Sequence, residues 1–279
     1  MRLSFDDIIS AMQGASYFEN DNGAVMPHRF TKKQEAIYKD TDFYAKTKSA
    51  AGVVMEFSTD SRALFLEVFV EKSSTRDFFA LDILCDGHLT VSLNNFEDGI
   101  RPAPGTFSGY FTLPEGEKRV LLTFPWSMSA LVKQISLEDG ARFMPVVRKS
   151  KMLFFGDSIT QGYDSRHPKN SYMRRVCDYF KFEGFNRAIG GEVFNPKLSG
   201  IREDMEPDYI SVAYGCNDWS KTSRRIFEEN SEKFYKNLTV NYPKAKIFAM
   251  TPIWRADENR LDRDWPFEYV EERIFEIAG

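Results

Sequence analysis

The sequence predicts an α/β protein in which a doubly wound parallel sheet follows an antiparallel β-sandwich or jelly-roll domain. Between residues 53 and 137 the chain is a succession of short runs rich in β-branched and aromatic residues, which favour the strands of a sandwich. After residue 145, compact apolar runs alternate with helical patterns, as is typical of a parallel sheet covered on both faces. The predicted division is residues 1–145 for the sandwich domain, which begins with a short helical segment, and 146–279 for the second domain.

Seven strands are predicted in the first domain. The runs are "VVMEF", "ALFLEVFV", "FFALDIL", "LTVSL", "GTFSGYFTL", "KRVLLTF" and "ALVKQISL". Asp86-Gly87 and Glu115-Gly116 each separate two of these runs, and such pairs are typical of hairpin loops. We therefore expect an antiparallel sandwich with its own core over roughly residues 40–140.

In the second domain, apolar strands alternate with amphipathic helices. The strand runs are "KMLFFG", "YISVAYG" and "AKIFAMTP", and the helical patterns are "NSYMRRVCDYFKF", "SRRIFEENSEKFYKNLTVNYP" and "FEYVEERIFEIAG". The pattern predicts that residues 151–155, 209–214 and 246–250 are neighbouring parallel strands. Loops at the carboxyl ends of such strands are the expected place for a binding site.

Composition excludes several classes of partner. The net charge is −4 and no polybasic block is present, so nucleic acid is not an expected partner. The first twenty residues do not have the continuous apolar core of a signal peptide, and no apolar run reaches membrane-spanning length. Three widely spaced cysteines fit neither a disulfide framework nor a metal site, so a cytoplasmic location without a metal or cofactor is expected.

Three loops of the second domain carry residues suited to acyl transfer. The first strand ends in "GDSITQG", the "FNRAIGGEVF" segment follows, and a later strand ends in "YGCNDW". Ester hydrolysis needs a nucleophile, a base and donors for the oxyanion. Ser158 can supply the nucleophile, and the backbone N–H groups of Ser158 and Gly191 with the Asn217 amide can supply the donors. We therefore expect these three residues to lie together at one end of the sheet.

These segments resemble, in order and spacing, the first three sequence blocks of SGNH or GDSL-type hydrolases. The resemblance covers residues 151–279 and implies a flavodoxin-like parallel sheet with Ser158 as nucleophile and Ser158, Gly191 and Asn217 around the oxyanion. The sandwich ahead of it also resembles the architecture of bacterial carbohydrate esterases that remove acetyl groups from sugars. The implied function is a serine esterase acting on small acyl esters, with an acetylated sugar as a candidate substrate.

One block of the resembling family is absent from the sequence. Those enzymes end in an Asp-x-x-His segment that supplies the base, whereas this chain contains only His28, His88 and His167 and ends at Gly279. We expect either that the hydrolase domain is C-terminally incomplete or that the chain is a noncatalytic carbohydrate- or partner-binding protein on the same frame. Truncation is the favoured explanation, since the expected sheet is one strand short.

Several of these residues also have ordinary structural explanations. Ser158 could be a helix N-cap, and His167 could be a solvated surface histidine. Tyr163, Trp219 and Trp254 follow the motif-bearing strands and are predicted to line the substrate pocket, although aromatic packing is the commoner use of such residues. The sequence leaves the oligomeric state open.

Overall fold

The computed structural model describes residues 1–97, 103–258 and 263–278. Its first part holds the antiparallel strands of the described residues, together with three short helices. In chain order these elements are α1 Phe5–Ala11, β1 Met12–Gln13, β2 Tyr17–Asp21, β3 Ala24–His28, α2 Lys32–Tyr38, α3 Tyr44–Thr47, β4 Val54–Thr59, β5 Ala63–Lys72, β6 Ala80–Cys85, β7 His88–Asn94, β8 Gly105–Thr112, β9 Lys118–Thr123, β10 Met128–Leu137 and β11 Met144–Pro145.

Two antiparallel sheets make up the sandwich. One has the order β1-β4-β9-β6-β7 with β11 beside β4, and the other has the order β2-β3-β10-β5-β8. The seven predicted strands are confirmed as β4 to β10, and alternate residues of β5, such as Leu64, Leu66 and Val68, are fully buried between the sheets. The β-sandwich prediction is therefore confirmed, while its assignment as a jelly roll stays a prediction.

A hairpin near the N-terminus was not predicted. β2 and β3 pair antiparallel through a turn at Asn22-Gly23, where both residues have positive φ, 50° and 89°. Asn-Gly with this backbone geometry is the strongest short hairpin signal. The signal was therefore present in the sequence, although the strands beside it, which include exposed polar residues, show little apolar alternation.

The second part contains the parallel sheet. Its elements are β12 Lys151–Gly156, α4 Ser158–Gln161, a 3₁₀ turn at Pro168–Asn170, α5 Tyr172–Phe180, β13 Glu183–Asn186, α6 Pro196–Ser199, β14 Tyr209–Ala213, α7 Cys216–Lys221, α8 Arg224–Asn241, β15 Lys246–Ala249 and α9 Glu268–Ala278. The strand order is β13-β12-β14-β15, and every pairing is parallel. The predicted adjacency of the three apolar strands is thereby confirmed.

Helices cover the parallel sheet on both faces. On one face α8 contributes Phe227, Phe234 and Leu238 to a core shared with β12 and β14. On the other face α5 packs Met173 and Cys177 against β12. This is the α/β arrangement that the strand–helix alternation predicted.

A segment from the first part of the chain packs into the core of the second. Phe30 and Tyr38 belong to the same buried cluster as the residues of α8. Arg29 is fully buried and donates hydrogen bonds to the carbonyls of Asn186 (2.9 Å) and Ala188 (2.8 Å), at the carboxyl end of β13. Residues 29–47 are therefore attached to the carboxyl end of β13. The predicted domain boundary at residue 145 stays a prediction.

Within the described residues, no helix combines the length and apolar character needed to cross a bilayer.

Candidate active site

Ser158 is the first residue of α4, directly after β12. The cap of this helix is Asp157, whose Oδ1 accepts a hydrogen bond from the Ile159 N–H at 3.0 Å. Ser158 is therefore not the capping residue, and this partly exposed serine is available for other chemistry. Gly156 is required before it, because a Cβ there would lie 2.2 Å from Thr160 Oγ1 and 2.9 Å from the Ala213 carbonyl.

Asn217 joins the three motif loops. It lies in the first turn of α7, beyond the carboxyl end of β14. Its Nδ2 donates to the Glu192 carbonyl at 3.1 Å and to Asp157 Oδ2 at 3.3 Å. Because Asp157 precedes Ser158 and Glu192 follows Gly191, the structure brings the three predicted catalytic positions to one end of the sheet.

The backbone of the glycine loop has a fixed conformation. The Gly190 N–H donates to Gln161 Oε1 at 2.7 Å, and a Cβ on Gly190 would lie 2.5 Å from the Tyr163 ring. Gly191 has a φ of +91°, a conformation that side-chain-bearing residues rarely adopt. Both positions therefore need glycine, for different reasons.

Two backbone donors at this end of the sheet are unused. In the part of the chain that the structure describes, the N–H groups of Ser158 and Gly191 donate no backbone or side-chain hydrogen bond. Unpartnered N–H groups beside a candidate nucleophile can stabilise the charge that develops on a carbonyl oxygen. The Asn217 amide can join them by exchanging its hydrogen bond to Asp157, at 3.3 Å the longer of its two, for one to the oxyanion.

Asn217 bonds or adjoins three residues whose carboxyl groups are buried. Burial raises the pKa of Asp157, and it raises the pKa values of Glu192 and Asp218 to about 7. The Glu192 carboxyl accepts from Tyr38 Oη at 2.5 Å and from Asn195 Nδ2 at 3.0 Å, whereas Asp218 accepts from the Phe194 and Gly215 N–H groups. Sequence reasoning did not identify Glu192, although it directly follows the two glycines.

Replacing Glu192 by glutamine should stabilise the protein more at pH 8 than at pH 5. The pKa of Glu192 in the folded protein, about 7, lies above the unfolded value of roughly 4.3. The stability that the protonated carboxyl contributes is therefore fully present below the unfolded pKa and is lost as pH rises through about 7. In urea unfolding, the free-energy difference between Glu192→Gln and the parent should become more favourable by on the order of 2 kcal/mol between these pH values. The exposed Glu206→Gln change is the control, and an equal difference at both pH values for Glu192→Gln would contradict the prediction.

The three predicted pocket aromatics have different environments. Tyr163 lies beside Gly190 and stacks at a tilt on Trp126, with ring centroids 4.6 Å apart. Trp254 is 73% exposed, and the next residue, Arg255, donates to the Cys216 carbonyl at 3.1 Å beside Asn217. The side chains of Tyr163 and Trp254 both stay candidates for substrate contact.

The structure does not support the pocket role predicted for Trp219. Its ring has no exposed surface and its Nε1 donates to the Trp265 carbonyl at 2.9 Å. It packs edge-on against Phe267. The side chain points into the core because α7 turns this face toward α9, which the sequence motif alone does not reveal.

The three histidines, all of which are described, have different surroundings. His28 Nδ1 is 3.2 Å from Glu35 Oε1, and His167 Nδ1 is 2.8 Å from the buried Asp82 Oδ1. His88 lies exposed at the start of β7. Within the described residues no histidine is hydrogen bonded to the Ser158 hydroxyl, and no group of three or more histidine, cysteine or acidic side chains is arranged to hold a metal ion.

Comparisons with solved structures show related folds. A salicylyl-acyltransferase, SsfX3, from a tetracycline biosynthetic pathway is 18% identical, covering 96% of this chain and 77% of that chain at a TM-score of 0.82. A family two carbohydrate esterase from Clostridium thermocellum, in complex with cellohexaose, is 14% identical, with coverages of 95% and 83% and a TM-score of 0.65. An acetyl xylan esterase, Est2A, from the rumen bacterium Butyrivibrio proteoclasticus is 17% identical, with coverages of 81% and 77% and a TM-score of 0.54.

No curated protein matches the sequence. The family comparison does find a match, over residues 154–274, to the GDSL-like lipase/acylhydrolase family. The matched region begins within β12, contains all three motif loops and ends within α9. Residues 154–274 therefore match the GDSL-like lipase/acylhydrolase family, and a β-sandwich precedes this region in the chain.

Proposed function

We propose that this protein is a serine esterase that hydrolyses small acyl esters, with acetyl esters of carbohydrates as the preferred class. Ser158 is the nucleophile, and the N–H groups of Ser158 and Gly191 with the Asn217 amide bind the oxyanion. The observation that carries the proposal is the pair of hydrogen bonds from Asn217 Nδ2 to Asp157 and to the Glu192 carbonyl, which bring the three loops together.

The surroundings of the glycine loop support a small acyl group. Tyr163 lies against Gly190, and Phe43 would be 3.7 Å from a Cβ on Gly191. Two aromatic rings therefore border the loop that carries the Gly191 donor, which favours a small acyl group there. The carbohydrate part of the proposal is supported by the fold shared with the cellohexaose-bound esterase and the acetyl xylan esterase.

A second candidate function is noncatalytic binding of a carbohydrate or another partner. The observation that favours it is the absence, within the described residues, of a hydrogen bond from Ser158 to any of the three histidines. A serine hydroxyl without a neighbouring base is a poor nucleophile at neutral pH.

The esterase proposal predicts a preference for short acyl chains. Assayed in buffer containing imidazole as an external base, p-nitrophenyl acetate should have a kcat/KM at least about tenfold above that of p-nitrophenyl octanoate. Acetylated xylo-oligosaccharides should release acetate, measured by proton NMR. The exposed Ser108→Ala variant, changed on β8, should behave as the parent, whereas Ser158→Ala should not.

Other outcomes separate the two candidates. Faster hydrolysis of the octanoate would contradict the small-acyl assignment. If no ester is turned over in a Ser158-dependent manner, and calorimetry shows that the parent and Ser158→Ala bind the acetylated oligosaccharide equally, the binding function replaces the esterase.

We also propose a cytoplasmic location, for which the free thiols of Cys85, Cys177 and Cys216 are the support.

A further inference from the structure

Two lysines from different parts of the chain hold the glycine loop. Lys46 of α3 donates from Nζ to the Gly190 carbonyl at 2.5 Å. Lys221, the last residue of α7, donates from Nζ to the Gly191 carbonyl. Lys221 follows Asn217 by one helical turn and lies within the region matched to the GDSL-like family. Lys46, in contrast, precedes the motif region by more than a hundred residues.

The Lys46 contact fixes the direction of one particular N–H group. The Gly190 carbonyl and the Gly191 N–H belong to the same peptide unit, and in a trans peptide these two groups point in opposite directions. An ammonium bound to the carbonyl therefore turns the N–H away from Lys46. That N–H is the unpartnered donor assigned above to the oxyanion.

Glycines on both sides of this peptide give such a contact a part in setting its orientation. Gly190 and Gly191 have no Cβ to restrict rotation, and glycine populates several regions of φ/ψ space with similar ease. A charge-assisted hydrogen bond restricts the peptide plane more strongly than a neutral one. It also polarises the peptide, which makes the Gly191 N–H a better donor.

Lys46 is held in place by its own neighbours. Its backbone carbonyl accepts from Arg29 Nη2 at 2.9 Å, and the same buried guanidinium bonds the Asn186 and Ala188 carbonyls. Its ammonium lies 5.1 Å from the centre of the Phe43 ring. The short helix α3 is thus anchored to the carboxyl end of β13, which leads into the glycine loop.

We propose that Lys46, contributed by the part of the chain that precedes the sandwich strands β4 to β10, is a positioning residue that orients and polarises the Gly191 N–H for the oxyanion. The inference rests on the proposed esterase function. It gives the N-terminal region a part in positioning the oxyanion donor, in addition to any role in binding substrate.

The test compares Lys46→Met, which keeps the length of the side chain without its charge, with Lys46→Arg and with Lys39→Met as an exposed control. Hydrolysis of p-nitrophenyl acetate is measured in imidazole buffer. We expect Lys46→Met to lower kcat about tenfold to a hundredfold, less than complete loss of an oxyanion donor, with KM changed less than about twofold. Lys46→Arg should restore part of kcat, and Lys39→Met should match the parent.

A second measurement reports the peptide itself. In ¹H–¹⁵N spectra, the Gly191 amide proton of Lys46→Met should move upfield, because its peptide loses the polarising ammonium, while thermal unfolding confirms that the variant is folded. An unchanged kcat together with an unmoved Gly191 amide would overturn the inference. If Ser158→Ala keeps the parent rate, the esterase proposal fails and with it the contribution of Lys46 to the reaction, while the amide shift still decides whether Lys46 holds the peptide.

Discussion

Imidazole should accelerate hydrolysis of p-nitrophenyl acetate by this protein, and Ser158→Ala should abolish the protein-dependent part of that acceleration. Ser158 is partly exposed just after β12, and within the described residues no histidine is hydrogen bonded to its hydroxyl. A positioned general base contributes roughly 10²- to 10⁴-fold. Free imidazole should recover a part of this factor, at least about tenfold, because it can enter beside Ser158 and accept its proton.

The comparison with Ser158→Ala at each imidazole concentration is essential. Imidazole attacks activated esters by itself, and the alanine variant removes the nucleophile while keeping the same background. Without a base the oxyanion donors alone still give a residual acceleration of roughly 10³- to 10⁴-fold over water. A small Ser158-independent rate without imidazole is therefore expected.

A full rate without imidazole would contradict the prediction and show that the protein supplies its own base. His167 would then be the first residue to replace, since its ring is already oriented by Asp82 at 2.8 Å in the manner of a histidine–aspartate pair. In that case His167→Ala should lower the rate, and imidazole should restore it. If the rate shows no dependence on Ser158 under any condition, the noncatalytic function is favoured.

Asn217→Ala should lower kcat about 10²- to 10³-fold in the same imidazole-supported assay. Loss of a single oxyanion donor has this effect in other acyl-transfer enzymes, because charge that develops in the transition state loses a preorganised partner. KM should change little, since the donor acts on the transition state more than on the bound ester. Initial rates over a range of p-nitrophenyl acetate concentrations separate the two parameters.

A matched control separates the loss of an oxyanion donor from a structural explanation for the lower kcat of Asn217→Ala. Asn217 also bonds the Glu192 carbonyl, and Asn237 of α8 makes a similar bond from Nδ2 to the Pro196 carbonyl at 2.9 Å. Asn237→Ala should lower the thermal unfolding temperature by an amount comparable with Asn217→Ala yet leave kcat near that of the parent. Equal losses of kcat in both variants would contradict an oxyanion role for Asn217.

Much of the fold could be predicted from local patterns. The alternation in β5 and the Asp86-Gly87 turn, with φ values of 49° and 84°, specify strands and hairpins through contacts between near neighbours in the chain. The apolar runs of β12 and β14 and the amphipathic α8 likewise identify a parallel sheet with its covering helices. Ser158 and Asn217 could be identified because each directly follows such a strand, and parallel strands end at a common edge.

The tertiary structure decided which side chains share the site. Trp219 and Asn217 are two residues apart in α7, yet one points into the core and the other toward Asp157. Lys46 reaches Gly190 across 144 positions of sequence, through an anchor on Arg29 that has no periodic signal. The strands, the helices and the loops that carry the reactive groups could be read from the chain alone, since these depend on local periodicity and turn chemistry. Only packing decided the environment of each group, because burial, charge and hydrogen-bond partners depend on residues far apart in the chain.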